Sequence, residues 1–339
     1  MNHRGWRIGI LGAGNWGTAL AHLLARQGHE IRIWAYETEV VDGINRGKRN
    51  PLYLEGITLP DNVLATEDPM QAVARAEMLL FVIPAQFMRM NLKTIAGVLP
   101  PRIPLVICSK GIERQTLATM DQVFRQELAP ARHEDICVLS GPSFAAEVAR
   151  GTPTNVTLAC SNIAVARTAQ GAIACREFRV YTTDDLIGVE IGGSLKNVMA
   201  IAVGASDALG FGHNTRAGLV TRGLAELSRL AVDMGARPET MLGLAGVGDL
   251  ILTCMGDLSR NRTVGKLLAQ GYTRDQILGR MNMVAEGIPT TESAFQLSRR
   301  RGLELPITEQ VYRVLYENKT VSDAIKALQD RPLKAEWDA

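Results

Sequence analysis

Between Arg7 and about Thr183, short β-branched runs alternate with stretches in which Ala and Leu recur every three or four positions. That double periodicity is the pattern of a parallel sheet with helices on both faces. Seven runs predict strands: RIGILG from Arg7, EIRIWAY from Glu30, MLLFVIP from Met78, PLVICSK from Pro104, ICVLSGP from Ile136, NVTLAC from Asn155 and FRVYTT from Phe178. Between them, TALAHLLARQG and DPMQAVARA have helical spacing and end at Gly or in basic residues. The order predicts right-handed crossover connections throughout. Beyond Asp184 the β-branched runs give way to long Ala-, Leu-, Met- and Arg-rich stretches broken by Gly and Pro, the pattern of an all-α second half. No Pro- or Ser-rich linker intervenes, so the expected domains, 1–185 and 186–339, should pack directly on one another.

Length and composition narrow the class of function. A chain of 339 residues with 46% hydrophobic and 21% charged residues suits two folded domains of a soluble protein. The 37 basic and 35 acidic side chains leave a formal charge of +2, too little for a general field toward nucleic acid or anionic membrane. The longest apolar runs, such as MLLFVIPA from Met78, fall short of the roughly 20 residues of a membrane span. Glycines at 9, 12, 14 and 17 interrupt the N-terminal apolar run, so no signal peptide is expected. The five cysteines are scattered without a Cys-x-x-Cys pair, which predicts free, mostly buried thiols in a reducing cytoplasm; no metal site is read.

Chemistry first shows at GAGNWG, residues 12–17, which fits G-x-G-x-x-G between a predicted strand and a predicted helix. In that context Gly12 allows the tight turn, Gly14 lets backbone approach a pyrophosphate, and Gly17 allows close helix-to-strand packing. The following helix start supplies N–H donors and positive potential. Asn15 and Trp16 sit where backbone amides or side chains could meet the cofactor. The expectation is an α/β N-terminal, doubly wound, Rossmann-like domain followed by an all-α C-terminal domain. The second strand tip reads Trp34, Ala35, Tyr36, Glu37. Glu37 is an acid for ribose hydroxyls, one or two places late, and Tyr36 could meet the adenosine end instead. Arg46, Lys48 and Arg49 offer a 2'-phosphate site or a solvated basic loop, so NAD and NADP stay open here.

A second signal is IGGSLKNVMAIAVGAS, residues 191–206, in which Lys196 is the one charged residue. Desolvating an ammonium is costly, so such a lysine snorkels, pairs with an acid or works on substrate. Gly192, Gly193 and Ser194 before it suggest room for a ligand. A ketone accepting hydride becomes an alkoxide, which an ammonium stabilises and protonates. The lone Asp249 of GLAGVGDLILTC is an apt partner for it, and SRNRTVG from Ser259 resembles a phosphate-binding helix start. His213 in GFGHNTRAG is read as a loop or capping histidine.

With these residues in hand, the chain resembles the bacterial type of the NAD(P)-dependent glycerol-3-phosphate dehydrogenase family. The resemblance rests on GAGNWGTALA at the start, SKGIE at 109–113, SGPSFAAEVARG at 140–151, IGGSLKNVMAIAVG at 191–204, GLAGVGDLILTC at 243–254, SRNR at 259–262 and PITEQVY at 306–312. It implies Lys196 as catalytic acid and base. It implies substrate contacts from Lys110, Gly141, Ser143, Asp249, Ser259, Arg260 and Asn261, and cofactor contacts from Asn15, Trp16, Tyr36, Lys110, Ala145, Arg260, Val284 and Glu286. Tyr36 stands where relatives often carry His or Arg.

The expected activity is hydride transfer between NAD(P)H and dihydroxyacetone phosphate, giving sn-glycerol 3-phosphate for glycerophospholipid synthesis. A homodimer is expected from how common such assemblies are. The alternatives are a related hydroxyacid dehydrogenase and a non-catalytic NAD(H)-sensing regulator. The phosphate cluster argues against an unphosphorylated substrate, and a sensor needs neither Lys196 nor Asp249.

Overall fold

The computed structural model describes residues 5–281, 285–333 and 335–336. One sheet of eight strands runs in the order β3-β2-β1-β4-β5-β6-β7-β8. The strands are β1 (Arg7–Leu11), β2 (Glu30–Trp34), β3 (Val63–Thr66), β4 (Met78–Phe81), β5 (Leu105–Ile107), β6 (Ile136–Ser140), β7 (Thr154–Cys160) and β8 (Phe178–Thr183). The first six have the doubly wound order, which reverses between β1 and β4 just where the glycine loop leaves β1. Side-chain alternation divides the sheet faces. Ile10, Ile33 and Leu80 pack on one side with Leu20 and Leu24 of α1 (Asn15–Arg26), while Leu79, Phe81 and Ile107 pack on the other with Leu92 and Phe124.

Two sequence expectations need correction. An eighth strand, β3, was not expected, because VLAT is only four residues long and follows an aperiodic stretch. The sheet is also mixed, since β7 runs antiparallel to β6 and β8 parallel to β7. The link from β6 to β7 holds only the short helix Ala145–Ala149, which packs on α1 rather than carrying the chain across to the opposite sheet edge. The reversal has a consequence for the second half. β8 ends with Thr183 level with Ala159, itself opposite Val138. The chain then climbs back as a central helix, Leu186–Ala208, passing the end of β6 on its way.

The central helix is 23 residues long and apolar enough, by length and composition, to cross a membrane. That corrects the expectation drawn from the shorter runs, which overlooked this segment because Glu190, Lys196 and Asp207 interrupt it. In the fold it is almost wholly buried, as the core around which the other helices pack. Its crossing with the helix Arg260–Ala269 depends on absent side chains. A Cβ on Gly204 would lie 2.1 Å from the carbonyl oxygen of Arg262, and one on Gly265 would lie 2.0 Å from that of Ile201. Both obstacles are backbone, so neither can swing away.

Gly265→Ala is therefore expected to cost at least about 2 kcal/mol in urea unfolding. Gly218 lies exposed in the helix His213–Asp233 with open space at its Cβ position. Gly218→Ala should be neutral or stabilise by up to about 1 kcal/mol. Equal stability of both variants would show that the helix crossing is not close.

Candidate active site

The glycine loop has the geometry of a pyrophosphate cradle. Gly12 has φ +111°, and a Cβ there would lie 2.7 Å from the carbonyl oxygen of Val82. A Cβ on Gly17 would lie 1.9 Å from the carbonyl oxygen of Gly12, so helix and turn touch. Gly14, by contrast, has open space at its Cβ position and caps α1 without a side-chain hydrogen bond. The residues present thus fit a dinucleotide: an open backbone surface at an uncapped helix start.

The neighbouring side chains are committed within the protein. Asn15 Oδ1 accepts from the Leu54 N–H at 3.0 Å, and Asn50 Nδ2 donates to the Ala13 carbonyl and to Thr18 Oγ1, each at 2.9 Å. Residues 50–54 therefore buttress the cradle. The Trp16 ring lies 6.4 Å from that of Phe178, and Trp16 and Ala145 both pack against Ala19, Leu54 and Ala149. This leaves the backbone amides of the first turn to meet a ligand. Tyr36, at the end of β2, is 86% exposed. Val284 lies outside the described residues.

At the same sheet edge, three charged groups from three segments converge. Lys196 Nζ and Lys110 Nζ both donate to Asp249, the first to Oδ1 and the second to Oδ2 at 2.7 Å. Lys110 also reaches the Gly141 carbonyl at 3.3 Å, and Ser140 Oγ donates to Asp249 Oδ2 at 3.4 Å. Thr253 Oγ1 donates to the Asp249 carbonyl at 2.7 Å. Asp249 is 0% exposed and Lys196 6%. Local geometry permits the convergence. A single π turn, Leu244–Gly248, leads into the helix Asp249–Met255, and the Ala245 carbonyl comes so near Gly192 that a Cβ there would lie 2.5 Å from it. A Cβ on Gly193 would lie 2.5 Å from Ser140 Oγ. Gly192 and Gly193 thus admit protein backbone and Ser140, not a ligand, contrary to the sequence reading.

Two ammonium groups around one carboxylate leave the cluster one positive charge in excess. Burial is the largest influence on Lys196, and with the repulsion of Lys110 it outweighs the attraction of Asp249, lowering the pKa to about 7. For Asp249 burial alone would act upward, but Lys110 and Lys196 overcome it and hold the carboxyl below its usual range. Asp249 stays ionised and the proton that moves near neutrality is on Lys196.

Beyond the cluster lies the start of the helix Arg260–Ala269, capped by Ser259 Oγ accepting from the Arg262 N–H at 3.3 Å. Asn261 is spent on architecture: its Nδ2 donates to Asn197 Oδ1 at 2.9 Å and its Oδ1 accepts from the Gly287 N–H at 3.0 Å. Arg262, 5% exposed, pairs with Asp207 at 2.6 Å and Asp257 at 3.0 Å. Arg260 is the arginine of this run that reaches solvent. Burial against the surrounding protein lowers its pKa, opposed by Glu286. Glu286 Oε1 accepts from the Ala85 N–H at 3.2 Å, and burial, against that bond and Arg260, pushes its carboxyl up to about 7. Ser143 Oγ donates to the Gly141 carbonyl at 2.9 Å. Gly141 itself has φ +141°, and a Cβ there would lie 2.9 Å from the Cα of Val156.

Sequence reasoning missed Ser140, Thr253 and Asn197. Asn197 had a signal, a second polar residue beside Lys196 in an apolar helix; the others had none beyond proximity to motifs.

Comparison with known proteins gives the family. Residues 7–166 match the family model for the NAD-dependent glycerol-3-phosphate dehydrogenase N-terminus, and residues 185–326 match that for its C-terminus. A protein of Geobacter sulfurreducens named glycerol-3-phosphate dehydrogenase (NAD(P)+) is 53% identical over 330 residues, 97% of this chain and 98% of the relative. One of the same name from Citrifermentans bemidjiense is 51% identical over 330 residues, with the same coverage of 97% and 98%. The crystal structure of glycerol-3-phosphate dehydrogenase from Coxiella burnetii superposes with a TM-score of 0.91 at 36% identity, covering 96% of this chain and 99% of that one. The chain belongs to the NAD-dependent glycerol-3-phosphate dehydrogenase family.

Proposed function

We propose that this chain interconverts dihydroxyacetone phosphate and sn-glycerol 3-phosphate with NAD(P)H or NAD(P)+, and that Lys196 moves the proton. The observation that carries the reading is the buried cluster of Lys196, Asp249 and Lys110 at the sheet edge that also holds the glycine loop. Bound nicotinamide supplies the hydride to the ketone carbon. The C2 oxygen then gains charge, which the excess positive charge of the cluster stabilises, and Lys196 Nζ gives up a proton to it. In alcohol oxidation the neutral amine takes the hydroxyl proton. Asp249 orients Lys196 through Oδ1 while Oδ2 holds Lys110. Arg260, with the amides of its helix start, would meet the phosphate.

The same cluster argues against a sensor that binds nucleotide without chemistry, since a buried amine and a half-buried one on a single buried carboxylate are costly and unnecessary for binding alone. The cationic helix start at Ser259 and Arg260 suits a phosphorylated substrate better than an unphosphorylated hydroxyacid. The division at 185/186, location in the cytoplasm, supply of glycerol phosphate to lipid synthesis and assembly as a homodimer belong to the same proposal. The five free cysteines support a reducing compartment, and light scattering on the purified chain tests the dimer.

The deciding assay follows loss of NADH and NADPH absorbance separately with dihydroxyacetone phosphate and with dihydroxyacetone. Oxidation is expected with the phosphorylated ketone; equal rates with both ketones would remove phosphate from the reading. Lys196→Ala should lower kcat by about 10²- to 10⁴-fold while nucleotide still binds, and normal turnover would unseat Lys196. Arg260→Ala should raise KM for the phosphorylated ketone roughly 10- to 100-fold, and an unchanged KM would take Arg260 out of the site.

The pH profile has a definite sign. Ketone reduction needs the ammonium of Lys196, so kcat/KM is full below about pH 7 and falls as pH rises through it. Alcohol oxidation needs the neutral amine, so its kcat/KM rises through the same region. Parallel profiles in the two directions would assign the proton elsewhere.

A further inference from the structure

Resting on the nucleotide reading above, we propose that Glu37, held in place by Tyr53, reads the ribose 2'-hydroxyl and sets this chain to prefer NADH over NADPH. The second strand tip in a doubly wound sheet is where a carboxylate takes ribose hydroxyls or a guanidinium takes a 2'-phosphate. Here the tip offers Tyr36, whose ring is 86% exposed, followed by Glu37 at the start of α2 (Thr38–Gly47).

Glu37 is late by sequence count, yet it is fixed to the cradle. Glu37 Oε1 accepts from the Tyr53 hydroxyl at 2.8 Å. Tyr53 belongs to the segment that buttresses the glycine loop: its N–H donates to Asn50 Oδ1 at 3.0 Å, Asn50 Nδ2 donates to Ala13, and Leu54 N–H donates to Asn15. The phenol pKa is raised, first by burial and then by Glu37, so the hydroxyl stays a donor. The Tyr53 bond uses Oε1, which leaves Oε2 as the oxygen that would accept from ribose.

Of the cations that follow, Arg46 lies nine residues along from Glu37, about 13 Å at 1.5 Å rise per residue, before the chain turns back through Lys48 and Arg49 to Asn50. Arg46 pairs with Asp42 at 3.4 Å and Lys48 with Asp61 at 3.8 Å; Arg49 is exposed beyond the helix end. A 2'-phosphate at the tip would therefore meet a carboxylate first, and like charges at a few ångströms repel.

Calorimetric titration of the full chain with NADH, NADPH, ADP-ribose and 2'-phospho-ADP-ribose reads this without turnover. The unphosphorylated member of each pair is expected to bind about tenfold or more tightly. Glu37→Gln should close the gap to within about threefold, mainly by tighter binding of the 2'-phosphorylated ligands. Tyr53→Phe, which frees the carboxylate, should shift it the same way by less. NADPH binding as tightly as NADH to the unaltered chain would overturn the proposal, as would a gap untouched by both substitutions. Tighter NADPH binding abolished by Arg49→Ala would give the 2'-position to Arg49 instead. These outcomes leave the reaction itself to the ketone assay, whereas failure to bind any of the four ligands would overturn the nucleotide reading.

Discussion

The site depends on placing an ammonium group, Lys196, where little water reaches it. Taking such a charge out of water costs several kcal/mol, and Asp249 offsets that cost only because the carboxylate is equally buried and further bonded to Lys110, Ser140 and Thr253. Each of those partners comes from a different segment. The reversed β7 and β8 return the chain so that the central helix passes β6, the π turn sets Asp249 against it, and the loop after β5 delivers Lys110. The cluster is the point at which the sheet half and the helical half are chemically joined.

The same constraint explains where glycine is needed. A helix carrying Lys196 must approach the segments of its partners more closely than side chains allow. Gly192 admits the Ala245 carbonyl, Gly193 admits Ser140, and Gly204 with Gly265 lets the Arg260 helix lie against the central one. Arg262 then ties that helix to Asp207 near the far end of the central helix, and Asn261 ties it to Asn197 beside Lys196. Short backbone contacts fix the position of Arg260 relative to Lys196 without calling on either side chain.

Much of this was legible in the residues, and the gaps have physical causes. Hydrophobic alternation marked seven strands, because strands buried on both faces read as continuous apolar runs. It could not mark β3, a four-residue edge strand in which Leu64 is exposed. Nor could it give strand direction, since a period of two reads the same both ways. Motifs located Lys196, Asp249, Lys110 and the Ser259–Arg262 run, but not how each side chain is used. Ser259, Asn261 and Arg262 look alike as phosphate ligands in sequence; in the fold their side chains cap, bridge and pair, while Arg260 reaches solvent. The glycines before Lys196 misled for a related reason. A missing side chain signals close approach without saying whether protein or ligand comes near.

Lys110 shows most clearly why the two halves must act as one body. Its loop is gripped from the nucleotide side by Arg89, which forks onto Glu113 at 2.9 and 2.7 Å, and by Gln86 Nε2, which donates to the Ile112 carbonyl at 2.9 Å. From the helical side Ser293 Oγ donates to the same carbonyl at 3.1 Å, and Glu286 accepts from Ala85, the neighbour of Gln86. A shift of one half against the other would strain these bonds before it reached the Lys110 ammonium. Because Lys110 repels Lys196 while sharing Asp249 with it, the proton affinity of Lys196 depends on that ammonium staying where it is. The hydrogen bonds across the seam therefore act on chemistry at a distance: burial does most to bring Lys196 near neutrality, and by holding Lys110 they keep its repulsion acting in the same direction.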